Sequence, residues 1–552
     1  MITIAPYPQF ATKGCTTGLS YLDMPVTTRE YITTASNYWS SVEYNATNCA
    51  ICNFSNGTFN NNNRYNSNYV RPVADLMANW KASWFRAYLD CCKNKLHSGD
   101  CCEFRMKHWP LLYKLMVDVW DFNYTPSKSK TFCVTRPKVR EIFAASFIDR
   151  IAQHWVINLI EPLLERSLIE AGDISYNCRK GYGTLRCVND FSADLERVAN
   201  ERIRAAIQQA SIGETLQPDA ARAIALDALN DMRIVRIDIL SFFMTIDKQR
   251  LIERLVALID EQYDGPWKDH LLYLMRVIVM HRPQDNCERR GDLSLWKVLP
   301  SHKSLFCVDG MPIGNITSQQ LANFVLGIID ALITKWVATH HGCARRFVDD
   351  IPAVVCSQKE AHEFVAFCRE ALTRLCGQTI HPDKIYSQPI LHGLYFVGSI
   401  IKPYLAMERV GQNSVPRLRV RTYISNRTRQ GLNVAARHLL STLYAQPCIA
   451  TLYRAIKATN SLNAYIGLMA HQRTFKIRSR LLTSLCANAN KIFPPLRPLT
   501  HRNNYSSVHL TRKYISLCCA RSGASFLARC EPSAFPSCPS YRRKRARTNK
   551  RR

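Results

Sequence analysis

Two short acidic patterns carry the most chemistry in this chain. In RIVRIDIL (233–240), Ile234, Val235, Ile237 and Ile239 favour a strand, so Asp238 falls inside an apolar run. A buried carboxylate without a partner is costly, so Asp238 should be paired or bind a cation. In RRFVDDIPAVV (345–355), Asp349 and Asp350 stand between two strand-like flanks, as a tight hairpin would hold them. Adjacent acids at a turn are often only a polar turn. Here the flanks read as buried strands, and Asp238 supplies a third acid of the same kind. Three carboxylates on two adjacent strands can hold a pair of Mg²⁺ ions, or Mn²⁺ in their place, and support an in-line displacement at phosphorus.

The third chemical stretch is GMPIGNITSQQLANFVLGIIDALI (310–333). Gly310, Pro312 and Gly314 mark a loop whose backbone can approach a nucleotide closely. Thr317 or Ser318 is expected to cap the helix that follows. Its apolar stripe is Leu321, Phe324, Val325, Ile328 and Leu332. A fourth cluster, CCKNKLHSGDCC, brings Cys91, Cys92, His97, Cys101 and Cys102 together, and these could ligate zinc. The spacing fits no common zinc motif.

These residues need a scaffold, and the composition provides one. The chain has 552 residues, 47% of them hydrophobic and 21% charged, enough for several folded domains. Lys and Arg number 73 against 43 acids, a formal charge of +30, so a polyanion is the expected partner. MITIAPYPQFATKG has no basic start followed by an apolar run, and no stretch of eighteen apolar residues stands out. The expectation is therefore a cytoplasmic protein with no membrane partner, whose 22 cysteines are reduced thiols.

By composition, residues 1–75 are polar and Asn-rich. Residues 76–125 look helical, with Trp80, Trp84, Phe85 and Leu89 near helical spacing. Residues 126–405 alternate strand-like and helix-like runs, an α/β or α+β catalytic body. Residues 406–495 carry Arg-rich helical patterns. The last segment, 496–552, ends YRRKRARTNKRR, a basic tail suited to nucleic acid of any sequence.

The order D-x-x-x-F-F, then G-x-P-x-G-N-x-T-S-Q, then F-V-D-D resembles a reverse transcriptase. More narrowly, it resembles the reverse transcriptases of diversity-generating retroelements. RPKVREIFAASFIDRIAQHWV (136–156) and SYNCRKGYGT (175–184) resemble that family's first two fingers blocks. LPSHKSLF (299–306) resembles the lead-in to its nucleotide loop. HPDKIYSQPILHGLYFVGSIIKP (381–403) is similar to its motif D and primer-grip region, and YISNRT (423–428) to the start of its thumb. Six blocks in the right order, over about residues 130–430, are a specific signal.

The resemblance implies an α+β right-hand polymerase: fingers at 126–235, palm at 236–405, helical thumb at 406–495. It implies an RNA-directed DNA polymerase that copies a template RNA into adenine-mutagenised cDNA from dNTPs, with two Mg²⁺ ions and a small basic accessory protein. Asp238, Asp349 and Asp350 match the metal-binding acids, with Ile239 beside them as a further metal contact. Phe243 matches the steric gate that excludes a ribose 2′-hydroxyl. Lys138 and Arg140 match fingers residues that grip the triphosphate. Lys384 matches a proton donor to pyrophosphate. Arg179 and Gly181 match template contacts. The triplet Pro312-Ile313-Gly314 departs from the general pattern, which has Gln where Ile313 stands. Ile cannot hydrogen-bond near the nascent pair, and the diversity-generating branch, error-prone at template adenines, shares an aliphatic residue there. Two alternatives stay open: a reverse transcriptase of phage defence or another bacterial retroelement, and a catalytically inactive RNA-binding protein.

The Asn-rich stretch YWSSVEYNATNCAICNFSNGTFNNNNRYNSNYVRPV (38–73) resembles the C-terminal end of the lectin-like target proteins of such elements. Asn codons begin with two adenines, so the expectation is a translated template repeat. The rival is a small binding module, for which the length is short.

Overall fold

The computed structural model describes residues 38–43, 48–53, 58–63, 73–93, 95–96, 98–135, 138–211, 216–410 and 413–444, with a few positions between 454 and 477. His97 and the basic tail lie outside the described residues. The architecture is mixed α+β. The described residues fall into two units, one drawn from the chain up to Cys187 and from Met232 to Ser387, the other from Val188 to Asp231 and from Gln388 onward.

In the first unit, β1 (Tyr38–Glu43), β2 (Asn48–Asn53) and β3 (Thr58–Asn63) form an antiparallel three-stranded sheet. Asn60 pairs with Ile51 and Asn62 with Cys49, so the asparagine run is strand, although Asn is depleted in strands. Three helices follow: α1 (Val73–Cys92), α2 (Gly99–Met106) and α3 (His108–Trp120). Trp80 and Trp84 are buried as the spacing predicts, and Trp84 stacks on Trp155 at 4.8 Å. Leu89 is half exposed: the inward stripe of α1 runs through Ala87, Tyr88 and Cys91 instead.

β4 (Ser129–Val134) pairs antiparallel with β5 (Arg140–Ala144) and, further on, parallel with β7 (Cys287–Arg290). α4 (Phe147–Glu170) starts at Ser146, whose hydroxyl accepts the Asp149 N–H. α5 (Thr184–Ala210) and α6 (Pro218–Asn230) follow, with α5 from Val188 onward and all of α6 in the second unit. β6 (Arg233–Asp238), α7 (Lys248–Gln262), α8 (Lys268–Met280) and the short α9 (Leu295–Val298) follow.

A long core helix, α10 (Ile316–Thr339), comes next. Its N-cap is Asn315, not Thr317 or Ser318, which are buried inside the first turn. By length and composition α10 could cross a membrane, although Asp330 and Lys335 interrupt it and it holds no run of eighteen apolar residues. Most of it is buried within the protein, and it carries Asn323 and Asp330 inward, as a core helix does. Then come β8 (Cys343–Ala344), β9 (Asp350–Val355), α11 (Gln358–Cys376) and β10 (Tyr386–Pro389). The site-bearing sheet has the order β10-β6-β9-β8, with β6 and β9 antiparallel and their apolar residues Ile234, Val235, Ile237, Ile351, Ala353, Val354 and Val355 buried.

In the second unit, β11 (Leu394–Phe396), β12 (Ser399–Val410) and β13 (Asn413–Ile424) form an antiparallel sheet, followed by α12 (Asn426–Tyr444). Asn200 of α5 grips β13 with both halves of its amide, accepting from the Leu418 N–H (2.8 Å) and donating to its carbonyl (3.0 Å).

Candidate active site

Strand register brings the acids together. Asp238, the last residue of β6, pairs directly with Asp350, the first of β9. Asp349 sits on the turn between β8 and β9, and its carbonyl accepts the Ile239 N–H at 3.2 Å. The turn is closed by Phe347 and Asp350, which exchange backbone hydrogen bonds of 2.9 and 3.1 Å. Its first central residue, Val348, has φ of 61°. A β-branched residue in that region is strained, and the surroundings must hold it there.

One buried side chain does so. Arg346 is 0% exposed and makes a two-pronged ion pair with Asp330 of α10, both contacts at 2.6 Å. A further N–H donates to the Val348 carbonyl at 2.9 Å, and another reaches Asn323 Oδ1 at 3.3 Å. Burial pushes the Asp330 carboxyl up, and the paired guanidinium pulls it back toward the ionised form. The backbone of Arg346 is strapped to 174–176, accepting from Tyr176 N–H and donating to the Ile174 carbonyl.

The electrostatics of the acids follow from crowding. Burial, then the neighbouring Asp238 charge, pushes Asp349 up to about 6. Burial also lifts Asp350 to about 7; Arg236 opposes the rise, and Asp349 and Asp238 add to it. Arg236 Nε lies 3.2 Å from Asp350 Oδ1, a charge contact without hydrogen-bond alignment, so this buried oxygen receives no aligned donor. Asp238 Oδ1 accepts from Lys384 Nζ at 2.7 Å. As placed, the side chains are drawn to these two basic residues, and among the described residues no three His, Cys, Asp or Glu groups stand close enough to hold a metal. The fit to divalent cations is therefore one of charge: three carboxylates at adjoining positions, two of them unwilling to ionise together without a counter-charge.

The other expected residues surround this sheet end. Phe243 lies on a 3₁₀ turn (Phe242–Thr245) just past β6, half-buried, with its carbonyl accepting from Met311 N–H at 2.7 Å. That bond docks the glycine loop. A Cβ on Gly310 would stand 2.4 Å from the Met244 backbone, so only glycine allows the approach. Gly314 has φ of +126°, and a Cβ there would meet the Phe143 carbonyl at 2.8 Å. Ile313 accepts the Phe143 N–H through its own carbonyl and packs its side chain against Phe143, Met244 and Leu305. Arg140 opens β5, exposed, and its charge reaches Asp349. Lys138 is exposed just before it.

No protein-family model matches the chain, and no curated protein does. The chain is similar to solved telomerase structures. Apo telomerase from Candida tropicalis superposes with a TM-score of 0.35 at 10% identity, over 74% of this chain and 68% of that one. Telomerase from Candida albicans in complex with a fragment of telomeric RNA does so with a TM-score of 0.33 at 9% identity, over 77% and 69%. Apo Candida tropicalis telomerase truncated from its C-terminal domain has a TM-score of 0.32 at 12% identity, over 50% of this chain and 53% of that one.

Arg179 differs from its expected place. Its guanidinium is 1% exposed, held by Glu165 (2.7 Å), Asp173 (2.8 Å) and the Ser175 carbonyl, with the Tyr182 ring 3.8 Å away. Those groups occupy its donors, so Arg179 braces the 175–184 block rather than offering its charge to a strand. Gly181, with φ of +79°, stays exposed at the tip of that block. In the cysteine cluster, Cys101 Sγ lies 3.7 Å from Cys92 Sγ. Burial pushes Cys91 up to about 11 and Cys92 up to about 12, so without a metal both stand as thiols. No disulfide occurs among the described cysteines.

Sequence reasoning missed Arg236, Asp330, Arg346 and Glu141. Arg236 was findable by alternation, two residues before Asp238. Asp330 was findable as a lone acid in an apolar helix. Glu141, 1% exposed, accepts from Trp296 Nε1 (2.6 Å), Ser304 Oγ (3.1 Å) and Leu305 N–H (2.8 Å), and so pins the 296–305 lead-in to β5 beside the loop.

Proposed function

We propose that this protein is an RNA-directed DNA polymerase that copies a template RNA into cDNA, in the manner of a diversity-generating retroelement. The observation that carries the reading is the register of β6 and β9, which sets Asp238 directly opposite Asp350 with Asp349 on the adjoining turn. Asp238, Asp349 and Asp350 would hold two divalent cations, Mg²⁺ by preference, with Ile239 at their side. Bound there, such ions activate a 3′-hydroxyl and neutralise the leaving pyrophosphate. Lys138 and Arg140 present exposed cations to the triphosphate. Lys384, whose Nζ donates to Asp238 Oδ1 at 2.7 Å, would donate a proton to the departing pyrophosphate. Phe243 closes the space beside the sugar, and Ile313 with Gly314 borders the nascent pair.

The formal charge of +30 supports RNA as the template, since phosphate contacts dominate such binding. An aliphatic residue at Ile313 supports low fidelity, because a mispair there leaves no side-chain polar group unsatisfied. A small basic accessory protein completes the proposed system.

The test is Asp349→Ala with Asp350→Ala. Incorporation of dNTPs on a primed RNA should vanish, while RNA binding by gel shift stays within about twofold, because the basic surface and not the acids holds RNA. Polymerisation that persists in the double variant would sink the assignment.

A further inference from the structure

Gln378 is 0% exposed, yet it belongs to no expected motif. It stands one residue past Gly377, which ends α11 in the left-handed region with φ of 64°. Its own N–H returns to the Leu372 carbonyl at 3.1 Å, so the helix terminus fixes its backbone. Its side-chain amide then faces the 3₁₀ turn that carries Phe243. Nε2 donates to the Thr245 carbonyl at 2.8 Å, and Oε1 accepts from Thr245 Oγ1 at 2.7 Å. The residues that follow grip the metal strand. Thr379 O accepts Leu240 N–H at 2.8 Å, Ile380 bridges to Ile239, and His381 N–H donates to Asp238 O at 2.8 Å. One segment, 377–381, thus sets both the acid Asp238 and the turn bearing Phe243.

That turn needs an external hold. It is a single 3₁₀ turn of four residues, entered through Ser241 at φ of 49°, a position where a non-glycine residue is uncommon. Met311 restrains it from one side through the Phe243 carbonyl, and Gln378 from the other through Thr245. A gate that works by clash is only as selective as its ring is fixed, because a small retreat admits an extra oxygen.

We infer that Gln378 is a positioning residue for sugar discrimination: by clamping Thr245 it fixes the Phe243 ring that excludes ribonucleotides. This rests on the polymerase reading and on Phe243 as the gate, and it adds a residue that acts through that ring.

The readout is the ratio of kcat/KM for dNTP over rNTP on one primed RNA, which a partly unfolded preparation leaves unchanged. Gln378→Leu should lower that ratio by about tenfold, the loss expected when a specificity contact loses its fixed geometry. Thr245→Val, which keeps the Nε2 bond and removes the hydroxyl, should lower it by less, and it carries the same test if the buried Gln378 variant does not fold. Phe243→Ala should lower it most. In Phe243→Ala with Gln378→Leu, the ratio should match Phe243→Ala alone, because the clamp has no ring left to fix. An unchanged ratio in both clamp variants overturns the inference, as does a double variant whose loss is the product of the single losses. Wild-type protein that incorporates neither nucleotide on RNA overturns the polymerase reading, and the inference with it.

Discussion

Replacing Arg346 by Met separates what the buried ion pair does for folding from what it does for the site. The change removes a fully buried guanidinium whose partner, Asp330, is 1% exposed, and keeps most of the side-chain length. Leaving one partner of such a pair alone costs about 3–5 kcal/mol. Against a usual domain stability of about 5–15 kcal/mol, that is about a fifth or more. With a urea slope of about 2 kcal/mol per M, the midpoint should fall by about 2 M. Adding Asp330→Leu removes the orphaned carboxylate, and such apolar replacements often recover the loss in full. Activity should not return with it. The Val348 carbonyl still lacks its 2.9 Å donor, and a strained turn of about 1–3 kcal/mol is then free to relax and carry Asp349 out of register. The assays are urea denaturation by tryptophan fluorescence and dNTP incorporation by single-turnover kinetics. Arg346→Met should be destabilised, and the double variant should be near wild-type in stability with kcat at least about tenfold down, the effect of misplacing a reacting group. A loss under about 1 kcal/mol in the single variant would show that the pair is not desolvated. Full kcat in the double variant would refute the positioning of the turn.

Two further outcomes follow from the same geometry. Ile313→Gln should lower misincorporation opposite template adenine by up to about a hundredfold, the ceiling of about 1–3 kcal/mol for one polar contact, as read by sequencing cDNA made from one RNA with equal dNTPs; an unchanged adenine error rate with polymerisation retained places the error source elsewhere. Asp349 and Asp350 titrate near 6 and 7 when folded, against an ordinary 3.8, so the native state binds more protons than the unfolded chain. Metal-free stability should then fall as pH rises from about 4 through 7, and Mg²⁺ should stabilise the protein more at pH 7.5 than at 5.5, measured by thermal denaturation; a Mg²⁺ effect equal at both values would contradict the crowding of the acids.

What the sequence disclosed was local. Asp238 and the Asp349–Asp350 turn were legible because apolar flanks around an acid admit few structures, and the Gly310 and Gly314 loop because glycine spacing marks close backbone approach. The partners of the buried charges were not. Asp330 in an apolar helix announces that some cation must neutralise it, but sixteen residues separate it from Arg346, and no periodicity selects that arginine over Arg345. Arg179 illustrates the converse: a motif position gives a residue type, while Glu165 and Asp173 decide that its charge is spent internally. Caps failed for a related reason. Asn315, Thr317 and Ser318 can all cap a helix, and the choice fell to where the tight Gly314–Phe143 approach lets the first turn begin.

Two non-glycine residues near the acids, Ser241 and Val348, hold φ of 49° and 61°, where glycine would sit without strain. Each lies beside a buried polar side chain that bonds the turn's own carbonyls: Gln378 on Thr245, Arg346 on Val348. Glycine would lower the strain but widen the set of conformations open to the turn. A strained residue under a buried clamp does the opposite, since the clamp that offsets the strain also removes the alternatives. For a site whose proposed chemistry needs carboxylates and a ring fixed to within about half an ångström, the second arrangement is the more useful one. It also explains why the clamps are buried amide and guanidinium groups rather than surface pairs. Water competes with exposed hydrogen bonds and would let the turns relax, whereas the low-dielectric interior strengthens the clamp and makes each lost bond costly.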